Sequence, residues 1–126
     1  MIRAHDHEII SYEVNLQHSK ITLHILSGNR EAIPASIEFI GVLAHKFETQ
    51  LPGSIILDIR SYEISRFLEY NKELLDEQKK YSWPLHYETL DDLHNHLQSE
   101  NYAFYVISAS YGLNGWVVAK EHKVFS

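Results

Sequence analysis

Two segments near the start of the chain alternate apolar and polar residues, which is the pattern of a half-buried β-strand. They span residues 8–16 and 20–26, with a short polar stretch between them. The apolar sets are Ile10, Tyr12, Val14 and Leu16 in the first segment and Ile21, Leu23 and Ile25 in the second. We therefore predict an antiparallel N-terminal hairpin that ends at a turn over residues 27–30.

Two further apolar segments follow, at residues 36–43 and 54–59. The first predicts a third strand with a bulge at Gly41, although residues 42–48 fit one or two helical turns equally well. Leu51-Pro52-Gly53 predicts a break, and the continuous apolar run after it predicts a fourth strand.

The polar and apolar spacing then changes to that of helices. Residues 61–80 predict one main helix with Ser61 as its N-cap, and Ser82-Trp83-Pro84 predicts its end. Its predicted buried face consists of Ile64, Phe67, Leu68, Leu74 and Leu75. A second helix is predicted from Thr89, because Thr89 offers a capping oxygen and Asp92 a first-turn carboxylate to the free N–H groups at a helix start. Its buried stripe is Leu90, Leu93 and Leu97.

Residues 102–120 contain two runs of aromatic and β-branched residues on either side of a polar stretch. Asn114-Gly115 lies in that stretch and is a strong hairpin signal. Helices grouped between two sets of strands indicate the α+β class. We predict one domain over residues 1–126, a mostly antiparallel sheet of about six strands with two central helices packed on one face.

The charge balance changes the range of partners that we expect. Seventeen acidic and 11 basic residues give a net charge of −6, which repels phosphate backbones and anionic lipid. We therefore expect neither a nucleic-acid nor a membrane partner. The surface charge would attract a basic protein, although it would equally serve solubility alone.

Cysteine is absent, so thiol chemistry and disulfides are excluded. The N-terminal residues contain no apolar stretch of signal-peptide length, and no segment approaches the roughly 18 apolar residues of a membrane span. We expect a cytoplasmic protein that acts by binding, without catalysis and without a cofactor.

Nine histidines suggest a metal site as an alternative. His5 and His7 share one face if their segment is extended, and a carboxylate such as Asp58 would have to complete the ligand set. A solvated terminal segment is the other interpretation of this pair.

Acidic residues recur along the polar side of the predicted main helix. They are Glu69, Glu73, Asp76 and Glu77. Two of the resulting pairs have i,i+4 spacing, where like charges cost the helix a few tenths of a kcal/mol. The row therefore indicates either a surface for a basic partner or an ordinary solvated face that Lys72, Lys79 and Lys80 dilute.

Four motifs together resemble the immunity proteins of contact-dependent growth-inhibition and related bacterial toxin systems. They are Leu43-Ala44-His45-Lys46-Phe47-Glu48, Ile56-Leu57-Asp58-Ile59, Tyr62-x-Ile64-x-x-Phe67 and Tyr111-Gly112-Leu113-x-Gly115-Trp116-Val117. The resemblance implies a protein that binds a cognate toxin domain and blocks its active site or its access to substrate. Toxins of such systems are often basic nucleases.

Under this hypothesis Glu69, Glu73, Asp76 and Glu77 would contact toxin lysines and arginines, with Tyr70 as an aromatic anchor. Two alternatives remain open at the level of sequence. One is a small metal-dependent enzyme or metal-binding protein that uses His5 and His7. The other is a homodimeric regulatory subunit that associates through an edge strand of the sheet.

Overall fold

The computed structural model describes residues 7–26 and 33–125, which form an α+β fold with an antiparallel sheet. The strands are β1 His7–Asn15, β2 Lys20–Leu26, β3 Pro34–Ile40, β4 Ala44–Glu48, β5 Ile55–Tyr62, β6 Ala103–Tyr111, β7 Asn114–Ala119 and β8 Glu121–Phe125. The α-helices are α1 Ile64–Tyr70, α2 Lys72–Gln78 and α3 Leu90–Ser99, and a 3₁₀ turn spans Lys79–Tyr81.

The sheet contains eight strands in the order β4-β7-β6-β5-β1-β2-β3-β8, where about six were expected. The difference arises because two long extended segments are each interrupted. One path runs through β3 and β4, and the other runs through β7 and β8. Residues 41–43 separate β3 from β4, and Lys120 separates β7 from β8. Hydrogen bonds from Lys120 N to Ile40 O (3.0 Å) and from Leu43 N to Val118 O (2.8 Å) keep the two paths together across both interruptions. The two ends of the sheet therefore meet along these paths.

The first core fills the inner side of this sheet. The β2 face predicted from the alternation is confirmed, because Ile21, Leu23 and Ile25 are all buried. The other buried members are Ile9, Ile37, Phe39, Ile56, Ile59, Tyr105, Ile107, Leu113, Val117 and Ala119. Burial of each large aliphatic side chain contributes about 1.5–3 kcal/mol, so this cluster is a main source of stability.

The prediction for the apolar face of β1 is confirmed only at Tyr12, which is half-buried and packs against the first core. Ile10, Val14 and Leu16 are exposed, Leu16 by 84%, whereas Ile9 is buried. A bulge between Ile9 and Ser11 shifts the register against β2. The inward-facing positions therefore change from odd numbers before the bulge, at Ile9, to even numbers after it, at Tyr12. Local alternation cannot reveal such a change.

The second core lies between the helices and the outer face of β6 and β7. It is formed by Ile64, Phe67, Leu75, Tyr87, Leu93, Leu97, Phe104 and Val118. The helix layer therefore covers one end of this sheet face and leaves the other end open.

The predicted main helix is shorter than expected and is divided in two. Ser61 lies in β5 and caps nothing, since β5 continues to Tyr62 and α1 begins at Ile64. At Asn71 both the backbone N–H and the side-chain amide donate to Phe67 O, at 3.1 and 3.0 Å. Asn71 has φ −117° and ψ 27°, so the chain leaves helical geometry before α2 begins.

The other local predictions have mixed outcomes. Residues 42–48 form no helix, and Ala44–Glu48 is a strand. Thr89 caps α3 as predicted, with its Oγ1 accepting from Asp92 N at 3.1 Å, but Leu90 at the start of the stripe is exposed. The predicted turn over residues 27–30 lies outside the described residues.

The C-terminal hairpin is confirmed, but its turn lies two residues earlier than the Asn-Gly signal. β6 ends at Tyr111 and β7 begins at Asn114. The Ser54 hydroxyl fixes this turn, since its oxygen accepts from Leu113 N at 2.9 Å and its hydrogen is donated to Leu51 O. Leu113 is buried, so tertiary contacts rather than the local dipeptide determine the turn.

Candidate partner-binding site

The break at Asn71 positions most of the predicted acidic residues around one shallow cleft. Glu69, Tyr70, Glu73 and Glu77 line it together with Lys46 of β4. The cleft has a volume of about 450 Å³. The cleft reaches the sheet, because Lys46 of β4 lines it beside these helix residues.

Asp76 lies apart from these four residues. It lines a different cleft, between α2 and the segment that leads into α3, with Lys79, Tyr87 and Leu90. The structure therefore brings four of the five predicted partner-binding residues into one cleft and places the fifth in a neighbouring cleft, which Glu73 also lines.

The acidic cleft opens onto the outer face of the sheet. Cross-strand pairing places Lys46, Trp116 and Val106 side by side on β4, β7 and β6. The adjacent row, which includes Val118 and Phe104, is covered by the helices. Trp116 and Val106 thus lie at the border of the helix layer and are only half-buried.

We refer to the depression at this border as the aromatic groove. It has a volume of about 330 Å³. Its lining residues are Lys46, Glu48, Tyr62, Tyr70, Asn71, Phe104, Val106 and Trp116. Lys46 and Tyr70 line both the groove and the acidic cleft, so the two form one continuous surface.

Ring contacts hold the floor of the aromatic groove in place. The Phe67 ring centroid lies 5.2 Å from that of Trp116 and 5.7 Å from that of Phe104. The Tyr70 ring lies 6.3 Å from Phe104 at an angle of 32°, yet Tyr70 remains 68% exposed. The buried rings therefore support an aromatic wall that faces solvent.

The charges around this surface are unevenly paired. Lys46 Nζ lies 3.3 Å from Glu48 Oε1, but both side chains are about half exposed. Among the described residues, no ion pair involves Glu69, Glu73 or Glu77. Lys46 and Lys72 line the same cleft, so its three carboxylates exceed its two ammonium groups by one. Carboxylates without an ion pair beside the exposed Tyr70 ring are groups that can bind a cationic side chain.

The residues of the metal hypothesis are not brought together in the described part of the chain. His5 lies outside the described residues, and His7 lies on β1. Asp58 accepts a hydrogen bond from Arg60 Nε at 3.0 Å. Residues 7–26 and 33–125 contain no cluster of three or more His, Cys, Asp or Glu side chains that could hold a metal ion.

Two other histidines have environments of their own. His45 is half-buried beside Phe47, and burial lowers the pKa of its imidazole. His122 is half-buried in β8, with Nδ1 3.3 Å from the Tyr105 hydroxyl. Burial also lowers the pKa of His122.

Lys46 and Glu48 are the functional candidates that sequence reasoning missed. The interpretation of residues 42–48 as helical turns hid their common face. Read as a strand, this segment places Lys46 and Glu48 on one side and His45 and Phe47 on the other. The position of Trp116 beside Lys46 depends on pairing between distant strands.

No protein-family model matches this chain, and no curated protein is similar to it at a significant level. Of the helices in the described residues, none is both long and apolar enough to cross a membrane.

Proposed function

We propose that this protein is a toxin-neutralising immunity protein that binds a basic toxin domain and blocks its active site or its access to substrate. The interface that we assign is the acidic cleft together with the aromatic groove. One observation carries the proposal: Glu69, Tyr70, Glu73 and Glu77 line the same cleft, which continues into half-buried aromatic surface.

This arrangement has the composition of a protein interface. Tyrosine and tryptophan contribute large contact areas at low entropic cost, and a surrounding rim of charge selects and steers the partner. Asp76 belongs to the proposed function only as part of the wider acidic field, because it lines another cleft.

The proposal is tested by capturing the tagged full chain with its partners from its host at low salt. We expect a stoichiometric basic fragment of a large secreted protein. That fragment should stop growth when expressed alone, and co-expression of this protein should restore growth. Growth arrest that persists despite stable co-expression would contradict the proposal.

A homodimeric regulatory subunit is a second candidate, and the edge of the sheet favours it. Within the described residues β8 pairs only with β3, and its Val124 and Phe125 side chains are about half exposed. An edge strand with apolar side chains can pair with a second copy. Sedimentation over a range of concentrations should then show a dimer that Val124→Lys dissociates. A concentration-independent monomer would exclude this candidate.

A further inference from the structure

The aromatic groove has a shape and charge that fit one particular kind of side chain. Its floor and wall present the rings of Phe104, Trp116 and Tyr70, and Glu48 lies at one end. A guanidinium group is planar, is weakly hydrated, stacks on aromatic faces and pairs with carboxylates through a rigid set of donors. An ammonium group lacks the planar stacking surface.

We propose that the aromatic groove is a socket for a single arginine side chain of the partner protein. The guanidinium stacks against Tyr70 and pairs with Glu48, while the three unpaired carboxylates of the acidic cleft contact further basic residues around it. This inference rests on the proposed function only in taking the partner to be a basic protein.

Lys46 gives the proposal its most specific consequence. Its ammonium group is paired with Glu48 at the end of the groove, where the incoming guanidinium would lie. An arginine must therefore displace Lys46 from Glu48 and approach a like charge. Lys46→Met keeps an unbranched side chain at the cross-strand neighbour of Trp116 but removes this competition.

The probe is the peptide acetyl-Gly-Arg-Gly-amide, titrated into the full chain while the indole N–H signals are followed by NMR. The Trp83→Phe variant assigns the Trp116 signal. Matched peptides carry citrulline, which has the same shape without the charge, or lysine. We expect saturable shifts at Trp116 with the arginine peptide, weaker binding of the lysine peptide and none of the citrulline peptide.

Two variants then test the geometry of the socket. Tyr70→Ala should weaken binding of the arginine peptide about threefold, as expected for loss of one exposed cation–π contact. Lys46→Met should strengthen it by a similar factor of about three, since it removes one surface charge competitor. Lys20→Met is the control, because Lys20 forms a comparable 3.4 Å pair with Glu38 on β3. It should leave the affinity unchanged.

Equal binding of the citrulline peptide, shifts that bypass Trp116, or no gain from Lys46→Met would overturn the socket. These results are independent of the toxin experiment. A captured toxin domain whose affinity is unchanged by Tyr70→Ala and Lys46→Met would refute the socket and leave the immunity function standing. Arginine-specific peptide binding, together with the absence of any toxin that this protein neutralises, would support the socket and refute the immunity function.

Discussion

Gly115 allows β4 and β7 to approach each other directly below the aromatic groove. A Cβ atom at this position would overlap the Lys46 carbonyl oxygen and lie 2.9 Å from Phe47 Cα, so backbone would have to move. We expect Gly115→Ala to lower the free energy of unfolding by roughly 2–3 kcal/mol, as for other overpacked sites. Urea denaturation measures this change.

The matched control for Gly115 is Gly53→Ala. Gly53 also has a positive φ, +80°, but a Cβ atom there would meet nothing within 4 Å. Gly53→Ala should therefore lower the free energy of unfolding only through backbone strain, by about 1 kcal/mol. Equal losses in the two variants would show that strain alone, and not the close approach of β4, requires glycine at position 115.

His45 makes stability depend on pH. Burial lowers its folded-state pKa below the ordinary value of 6.5, so the unfolded chain binds the proton more readily. The stability that the neutral imidazole contributes is present above pH 6.5 and is lost as the pH falls through the lower folded pKa. His45→Gln should therefore lose less stability than the wild type between pH 8 and pH 5, by at most about 1.4 kcal/mol per pH unit. Parallel losses in urea denaturation at the two pH values would contradict this.

The first turn of α3 is the clearest case in which local sequence determines an element. Thr89 Oγ1 accepts from Asp92 N, which satisfies one of the free N–H groups at the helix start. Thr89→Ala should lower the free energy of unfolding by about 1 kcal/mol. Thr89→Ser should lower it much less, because the serine hydroxyl can accept the same hydrogen bond. Thermal or urea unfolding of the two variants checks this, and an equally large loss in the serine variant would show that the methyl group matters instead.

Elements whose signals are local could be predicted from the sequence, and elements determined by distant contacts could not. The Thr89 cap and the buried face of β2 belong to the first group. The turn fixed by Ser54 belongs to the second, because Ser54 and Leu113 lie far apart in the chain. The break at Asn71 is local, since Asn71 donates to Phe67 four residues earlier, but the helical spacing of the apolar residues did not reveal it. The same division explains why the acidic residues could be placed on one side of a helix from the sequence, while Lys46 and Glu48 could not be placed beside them.

At the scale of the whole molecule, strand pairing decides where the candidate site lies. Trp116 lies beside Lys46, which lines the acidic cleft, only because β7 lies between β4 and β6, and this order involves residues far apart in the chain. Apolar patterning identified the class as α+β but could not establish that order, because an alternating strand can pair on either edge.

The net charge of −6 raises the question of whether a basic partner is attracted by the molecule as a whole or by one face. The double substitution Glu73→Lys with Glu77→Lys reverses two carboxylates of the acidic cleft. Glu8→Lys with Glu13→Lys on β1 changes the net charge by the same amount at exposed positions that line neither the cleft nor the groove. Steering is strongest where charge of one sign is concentrated at the docking surface. We therefore expect the cleft variant to associate with the captured toxin domain on the order of tenfold more slowly and with altered salt dependence, and the β1 variant to change little. Stopped-flow association at several salt concentrations measures both, and equal slowing by the two variants would mean that overall charge, rather than the acidic cleft, attracts the partner.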